Sequence, residues 1–353
     1  MPRKGTKKEA TFKLCPKIIS GEVTRAQAAR SIGVSTSTVR EYLSQYRAQE
    51  GLPVTYPSLP PELEPTDREL LETTDSHEDI ATLWGALEKR SEKAIEELKE
   101  ARVWRFKTKE YKPIGLVFAS DQHITALYAH HERMRKDAEV CRDTPGMMAW
   151  LAGDGVDNHI KHRSGIIHAS VEPDTQFKLY NHYLGFFGDS LLGGITGNHD
   201  HWSYQMAGID MVGELFKQRK LVYNKHEIVL EIECGDQVYQ ILVRHSARGS
   251  SIYHNNHAHA RERRFGSGEY DAIVLGHTHE VCCKPDHYKG RKVYDIRPGS
   301  YQVGSDCSFQ WGFPDATPYC PTLILYPDKK DMIGDEDIHR AARILEIERK
   351  AYE

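Results

Sequence analysis

Two aspartates, one asparagine and four histidines stand where five apolar runs of this chain give way to polar side chains. IGLVFAS leads into Asp121-Gln122-His123, and MMAWLAG into Asp154-Gly155-Val156-Asp157-Asn158. LLGGITG leads into Asn198-His199-Asp200, VYQILVR into His245, and DAIVLG into His277-Thr278-His279. Carboxylates, an amide oxygen and imidazoles together suit divalent Mn, Fe, Zn or Ni. Their number suits two ions rather than one. In such a site a carboxylate commonly bridges ions about 3.5–4 Å apart, both ions clamp a phosphoryl group, and a water becomes a nucleophile near neutral pH. A lone DxH or GHTH arises by chance. All five in this order, each after an apolar run, is a pattern that purely structural roles do not account for.

The elements that must position these residues follow from the same runs. IGLVFA (114–119), MMAWLA (147–152) and LLGGIT (191–196) are separated by helical stretches, which predicts an α/β architecture. HEIVLEI (226–232), VYQILVR (238–244), DAIVLG (271–276), VYDI (293–296) and TLILY (322–326) are more closely spaced and read partly as hairpins. In α/β sheets ligands gather past the C-terminal strand ends, and each group lies there. His245 directly follows an apolar run, whereas its rivals His226, His254, His257 and His259 sit at a strand start or in polar sequence. The tail from Asp337 onward reads as a helix.

The series Asp121-x-His123, Gly153-Asp154-x-x-Asp157-Asn158, Gly197-Asn198-His199-Asp200, His245 and Gly276-His277-Thr278-His279 resembles the calcineurin-like metallophosphoesterase superfamily over roughly residues 112–327. The resemblance implies a β-sandwich of two mixed sheets flanked by helices, with a dinuclear centre at one edge. It implies that Asp121, His123, Asp154 and His279 hold one ion, that Asp154 bridges, and that Asn198, His245 and His277 complete the second. Manganese is the favoured metal, with iron, zinc or nickel as alternatives. His199 would act on the leaving oxygen as acid or hydrogen-bond donor, and Asp157 would fix its tautomer. Protein serine/threonine phosphatases of this superfamily carry arginines where this chain has Asn158 and Thr196, so the pattern is nearer the phosphodiesterase and exonuclease branches. Asn158, Arg248 and Arg297 are candidates for substrate contact. Ser300 and Tyr301, in the turn after a strand, join them.

Charge divides the first part of the chain. Residues 1–50 hold ten Lys/Arg against four Glu, and residues 51–80 one Arg against eight Asp/Glu. A basic head of this kind suits a polyanion. Thr24 can cap a helix over TRAQAARSI, Gly33 suits the turn that follows, and Ser35 or Ser37 can cap a second helix through TVREYLSQYR. The spacing of Ala29, Gly33 and Val39 resembles a helix-turn-helix. It would place Ser35, Thr36, Ser37 and Arg40 toward the major groove, with Arg25, Arg30, Arg47, Lys4, Lys7 and Lys8 on phosphates.

The expected order is therefore a helix-turn-helix head (1–50), a Pro-rich acidic linker (51–78), an amphipathic helix (79–110), the phosphoesterase domain (111–330) and a C-terminal helix (331–353). The 79–107 pattern sets Ile80, Trp84, Leu87, Ala94, Leu98 and Ala101 on one face. Packing of that face on the next domain is the favoured reading, with a short coiled coil as the alternative. Seven irregularly spaced cysteines, no membrane-length apolar run and a basic start with no apolar stretch after it point to a cytoplasmic protein. The expected activity is metal-dependent hydrolysis of phosphodiesters, with DNA as substrate and partner. The alternatives are a small-molecule phosphoesterase acting on a nucleotide, and a non-catalytic DNA-binding protein of packaging or regulation. The pairing of head and catalytic domain resembles phage or prophage proteins. A homodimer is left open.

Overall fold

The structure is a computed structural model that describes residues 4–51, 80–100, 103–158, 160, 171–249, 251, 253–266, 268–304, 309–310, 312 and 315–353. The expected linker at 51–78 falls almost wholly outside them. The chain divides into two compact units, Met1–Glu78 and Asp79–Glu353.

In the first unit, three helices run over Lys4–Ile19 (α1), Arg25–Ile32 (α2) and Thr36–Gln49 (α3). Thr24 starts α2 with a capping box: its hydroxyl accepts from the Gln27 N–H, and the Gln27 side chain accepts from the Thr24 N–H at 2.9 Å. Gly33 ends α2 at φ 68°, a left-handed position that glycine adopts without strain. Ser35 then caps α3 by accepting from the Thr38 N–H at 3.1 Å. The small Ala28 and Ala29 let α2 pack closely, and they share a buried cluster with Val39, against which Leu14, Ile18, Val23 and Val34 lie.

The second unit begins with α4 (Ile80–Glu100), followed by strand β1 (Val103–Lys107). The helical expectation therefore fails beyond residue 100: β1 pairs in parallel with Glu227–Cys234 (β6), and Trp104 and Phe106 pack on the core between the sheets. Of the face expected to pack on the next domain, the two residues whose side chains are described, Trp84 and Leu87, are exposed.

Two mixed six-stranded sheets follow. One contains Ile114–Ala119 (β2), Met147–Leu151 (β3), Leu191–Ile195 (β4) and Val222–Asn224 (β5) in parallel. Antiparallel Thr322–Leu325 (β11) and Met332–Asp335 (β12) extend it beside β2. The other has the order β1, β6, Gln237–Arg244 (β7), Ala272–Leu275 (β8), Arg291–Arg297 (β10) and Cys282–Tyr288 (β9). β1, β5, β9 and β12 were not expected from the sequence. All but β9 are short, and β9 is exposed on both faces over Lys284–His287.

Burial on both faces explains the unbroken apolar run of β2. Leu116 and Phe118 join Trp150, Ile195, Leu230, Ile241 and Val274 in the core between the sheets. Val117 and Ala119 face the opposite way, toward a helical layer. That layer comprises His131–Asp143 (α5), Pro173–Phe186 (α6), Asn198–Ala207 (α7), Met211–Gln218 (α8) and Ile338–Lys350 (α10). It buries Met134, Phe177, Tyr180, Phe216 and Leu345. On the far side, His257–Phe265 (α9) covers Leu242, Ile273 and Leu275 through Ala258.

Side chains of α9 tie it to β10. Arg263 pairs with Asp295, Asn256 donates to Asp295 at 2.9 Å, and the buried His259 lies 2.9 Å from the Ile296 carbonyl through Nε2. Burial pushes the His259 imidazole down to about 4, against the opposing charge of Asp295. The unfolded chain takes up a proton near pH 6.5 that the folded chain refuses until about pH 4, so His259 costs stability as pH falls through that window. Denaturant titrations from pH 7 to 4 are expected to show this loss, on the order of 3 kcal/mol, and His259→Gln is expected to flatten it.

Candidate metal centre

The C-terminal ends of β2, β3, β4, β7 and β8 converge on one edge where the two sheets face each other. Two clusters of ligand atoms result. In the first, Asp121 Oδ1 lies 3.3 Å from His279 Nε2 and 4.0 Å from His123 Nε2, and the two imidazole nitrogens are 3.3 Å apart. In the second, Asp154 Oδ2 lies 3.0 Å from His245 Nε2, with His277 in the same group. The Asn198 amide oxygen faces this group, 3.0 Å from His245 Nε2, 2.8 Å from His277 Nδ1 and 3.3 Å from Asp154 Oδ2. All seven residues expected to hold metal are thus brought together, His245 rather than its rivals among them.

These clusters fit cations. Ligand atoms about 2.1 Å from an ion stand about 3.0 Å apart in an octahedron and about 3.4 Å apart in a tetrahedron. Asp121 Oδ1 is fully buried and accepts no hydrogen bond. The amide end of Asn198 meets Asp154 Oδ2, His245 Nε2 and His277 Nδ1, where its oxygen can turn to an ion.

The electrostatics agree. Burial opposes ionisation of Asp121, but the imidazoles of His279, His245 and His123 outweigh it and hold the carboxyl well below the usual range. Burial likewise opposes ionisation of Asp154, which His245 above all brings down to about 2. Burial would discharge His245, yet the charge of Asp154 raises it to about 10. The pocket thus draws positive charge.

Backbone strain is concentrated here. Eight non-glycine residues among those described have positive φ, and six are Asp121, His123, Asp154, Asn158, His277 and His279, at 41–73°. Each left-handed residue costs roughly 1–2 kcal/mol, so surrounding structure must enforce it. Close approach of neighbouring loops does so. A Cβ on Gly197 would come 2.1 Å from Asp154 Oδ1, and one on Gly153 2.5 Å from the Gly197 nitrogen. Asp200 seals the junction, accepting from the Gly197 N–H at 2.9 Å and the Val156 N–H at 3.2 Å. Its role was not read from the sequence, although its place in the first turn of α7 is where a carboxylate caps.

Other expected site residues divide. His199 donates from its backbone to Asp154 Oδ1 at 2.8 Å, and its Nδ1 lies 2.8 Å from the Asp157 carbonyl. That carbonyl, not the carboxylate, is what fixes the His199 tautomer: the Asp157 carboxylate is 3.8 Å from His199 Nδ1 but 3.3 Å from His123 Nδ1. Burial brings the His199 imidazole down to about 4. With Nδ1 protonated toward the carbonyl, Nε2 can donate only in the charged ring, which an anionic ligand would favour.

Asn158 is fully buried, donating to the His199 carbonyl at 2.7 Å and Ser203 Oγ at 3.0 Å. It braces α7 and is not placed for the expected substrate contact. Arg297 is buried too and donates to Thr278, in the loop between His277 and His279, while its Nε has no hydrogen-bond partner among the described residues. Ser300 donates to the Asp121 carbonyl at 2.9 Å, and Tyr301 is buried against Asp137. Arg248 is exposed and lines a cleft of about 740 Å³ that reaches Asn198 and His245. In the first unit Ser35, Thr36, Ser37 and Arg40 are exposed at the start of α3, while Lys7 donates to the Gly33 carbonyl at 3.1 Å.

No protein-family model and no curated protein matches the chain. Solved structures similar to it include a conserved uncharacterized protein, a predicted phosphoesterase, from Streptococcus pneumoniae, at 13% identity and TM-score 0.31, covering 63% of this chain and 98% of that one. Vps29 of Chaetomium thermophilum matches at 11% identity and TM-score 0.29, covering 63% and 94%. The sulfate thiohydrolase SoxB of Thermus thermophilus matches at 10% identity and TM-score 0.36, covering 70% and 61%. Likenesses this distant carry no conclusion about activity.

Two measurements check the centre. Gly197→Ala is expected to weaken Mn²⁺ binding at least ~10-fold, measured as free Mn²⁺ by electron paramagnetic resonance. Gly208→Ala, in open space at a φ of 71°, is expected to leave Mn²⁺ binding unchanged. Because His245 must lose its proton to bind metal, titration calorimetry at pH 7 in buffers of different ionisation enthalpy is expected to show proton release, with affinity rising up to about tenfold per pH unit toward pH 8.5.

Proposed function

We propose that the chain is a metal-dependent phosphoesterase that hydrolyses phosphodiesters of DNA. The observation that carries this reading is the convergence of the two ligand clusters on the edge where the two sheets face each other. Asp121, His123 and His279 would hold one ion and Asn198, His245 and His277 the other, with Asp154 between them. Asp154 Oδ1 accepts from the His199 N–H at 2.8 Å, and its Oδ2 lies 3.0 Å from His245 Nε2. Two divalent cations there would polarise a phosphate ester and make water nucleophilic at neutral pH.

The chain's own residues supply the rest. Asp157 orients His123 through Nδ1. His199, aligned by the Asp157 carbonyl and covered by the Trp202 ring at 4.1 Å, stands ready to donate from Nε2 to an anionic ester once charged. Asn158 and Asp200 fix the turn that carries both Asn198 and His199.

The first unit fits the same reading as a helix-turn-helix, its α3 N-terminus offering Ser35, Thr36, Ser37 and Arg40 to DNA and so concentrating the enzyme on its substrate. Manganese, cytoplasmic residence and a phage or prophage source belong to the proposal, and oligomeric state stays open. Among the described residues no helix is long and apolar enough to cross a membrane.

The test is cleavage of labelled linear and circular DNA, duplex and single-stranded, with Mn²⁺ or with chelator. Simple phosphodiester and phosphomonoester reporters run beside it. Cleavage is expected to require the metal and to fall at least ~100-fold in Asp154→Asn. Hydrolysis of the reporters with DNA left intact would instead make the chain a small-molecule esterase.

A further inference from the structure

The cleft of about 740 Å³ opens directly from the second ligand cluster, with Asn198 and His245 in its wall. Its volume is in the range that holds a ligand of nucleotide size. Its two acids, Glu227 and Glu262, are both paired with Arg244. Lys225, Arg248 and Arg261 also line it, and no carboxylate among the described residues forms an ion pair with any of the three. The cleft therefore presents excess positive charge to whatever reaches the metal centre.

It also presents flat aromatic surface. Trp202 lines it, its ring 4.1 Å from that of His199. Phe265, at the end of α9, lines it as well and is 70% exposed, with the Arg261 guanidinium 5.6 Å from its ring centroid. Cations interleaved with ring faces are what an unpaired polynucleotide requires: the cations follow the phosphates and the rings take the bases. A duplex keeps its base faces stacked inside and offers only backbone and groove edges.

We propose that this cleft seats a single-stranded polynucleotide running out from the metal centre, with bases against Trp202 and Phe265 and phosphates against Lys225, Arg248 and Arg261. The placement rests on the phosphoesterase reading for its meaning. Its test does not, because binding is measured without metal.

The experiment is fluorescence anisotropy of a labelled single-stranded DNA oligonucleotide with the full chain in chelator. Competitors are the matching duplex, an abasic strand of equal length and a nucleoside monophosphate. Arg261→Glu and Phe265→Ser, both at exposed positions, are each expected to weaken single-strand binding about tenfold. The abasic strand is expected to compete less well than the natural one, and the duplex and mononucleotide less well again. Unchanged affinity in both variants, equal competition by the abasic strand, or stronger competition by duplex or mononucleotide would overturn the proposal. Reporter hydrolysis with Mn²⁺, run in parallel, separates the two readings. An active enzyme that binds no single strand loses only this cleft assignment. A single-strand binder with no hydrolytic activity loses only the phosphoesterase reading.

Discussion

One carboxylate joins the two sheets. Asp154 follows β3 of one sheet, His245 follows β7 of the other, and their side chains meet at 3.0 Å. The other oxygen of Asp154 is held by the first turn of α7. Three elements thus depend on one buried acid, which must be ionised to serve them all. That demand accounts for the company around it: a histidine of raised proton affinity, a glycine with no room for a side chain, and strained loops on either side.

The same junction explains why the core is built as it is. Ligands from two sheets can hold a fixed spacing only if the sheets themselves cannot slide. Large buried side chains between them, among them Trp150, Tyr239 and Phe118, resist that movement through close packing. The helical layer over the parallel sheet shields its other face, and the bracing residues Asn158, Ser300 and Arg297 carry the rigidity of the core into the loops.

Much of this was legible in the sequence because burial on two sides writes a continuous apolar run, and metal ligands write polar residues at its end. Thr24, Gly33 and Ser35 were legible for a local reason, since capping is decided within a few residues. What depends on distant partners was not. Val103–Lys107 alternates charge with aromatic residues and extends a helical pattern by chance; its strand pairing comes from β6, more than a hundred positions away. Asp157 was placed at the site, but which of its oxygens meets which imidazole follows only from the fold of the loop. Asn158 and Arg297 have the polarity of ligand-binding residues, and only the fold shows which loop groups they hydrogen-bond. The cleft-lining Lys225, Arg261 and Phe265 lie in three unrelated stretches with no common spacing to mark them.

The left-handed backbone at the site also constrains how the protein can change. Lys220 and Lys289 share that conformation at φ 58° and 50° but lie outside the centre, so glycine there would relieve strain and remove only a surface charge at Lys220 and the exposed ion pair with Glu269 at Lys289. At Asp121, His123, Asp154, His277 and His279 the same relief would delete a ligand atom. Selection for stability alone would therefore erode the candidate metal centre through its most favourable substitutions, and persistence of these side chains in a descendant chain would itself point to selection for something other than stability.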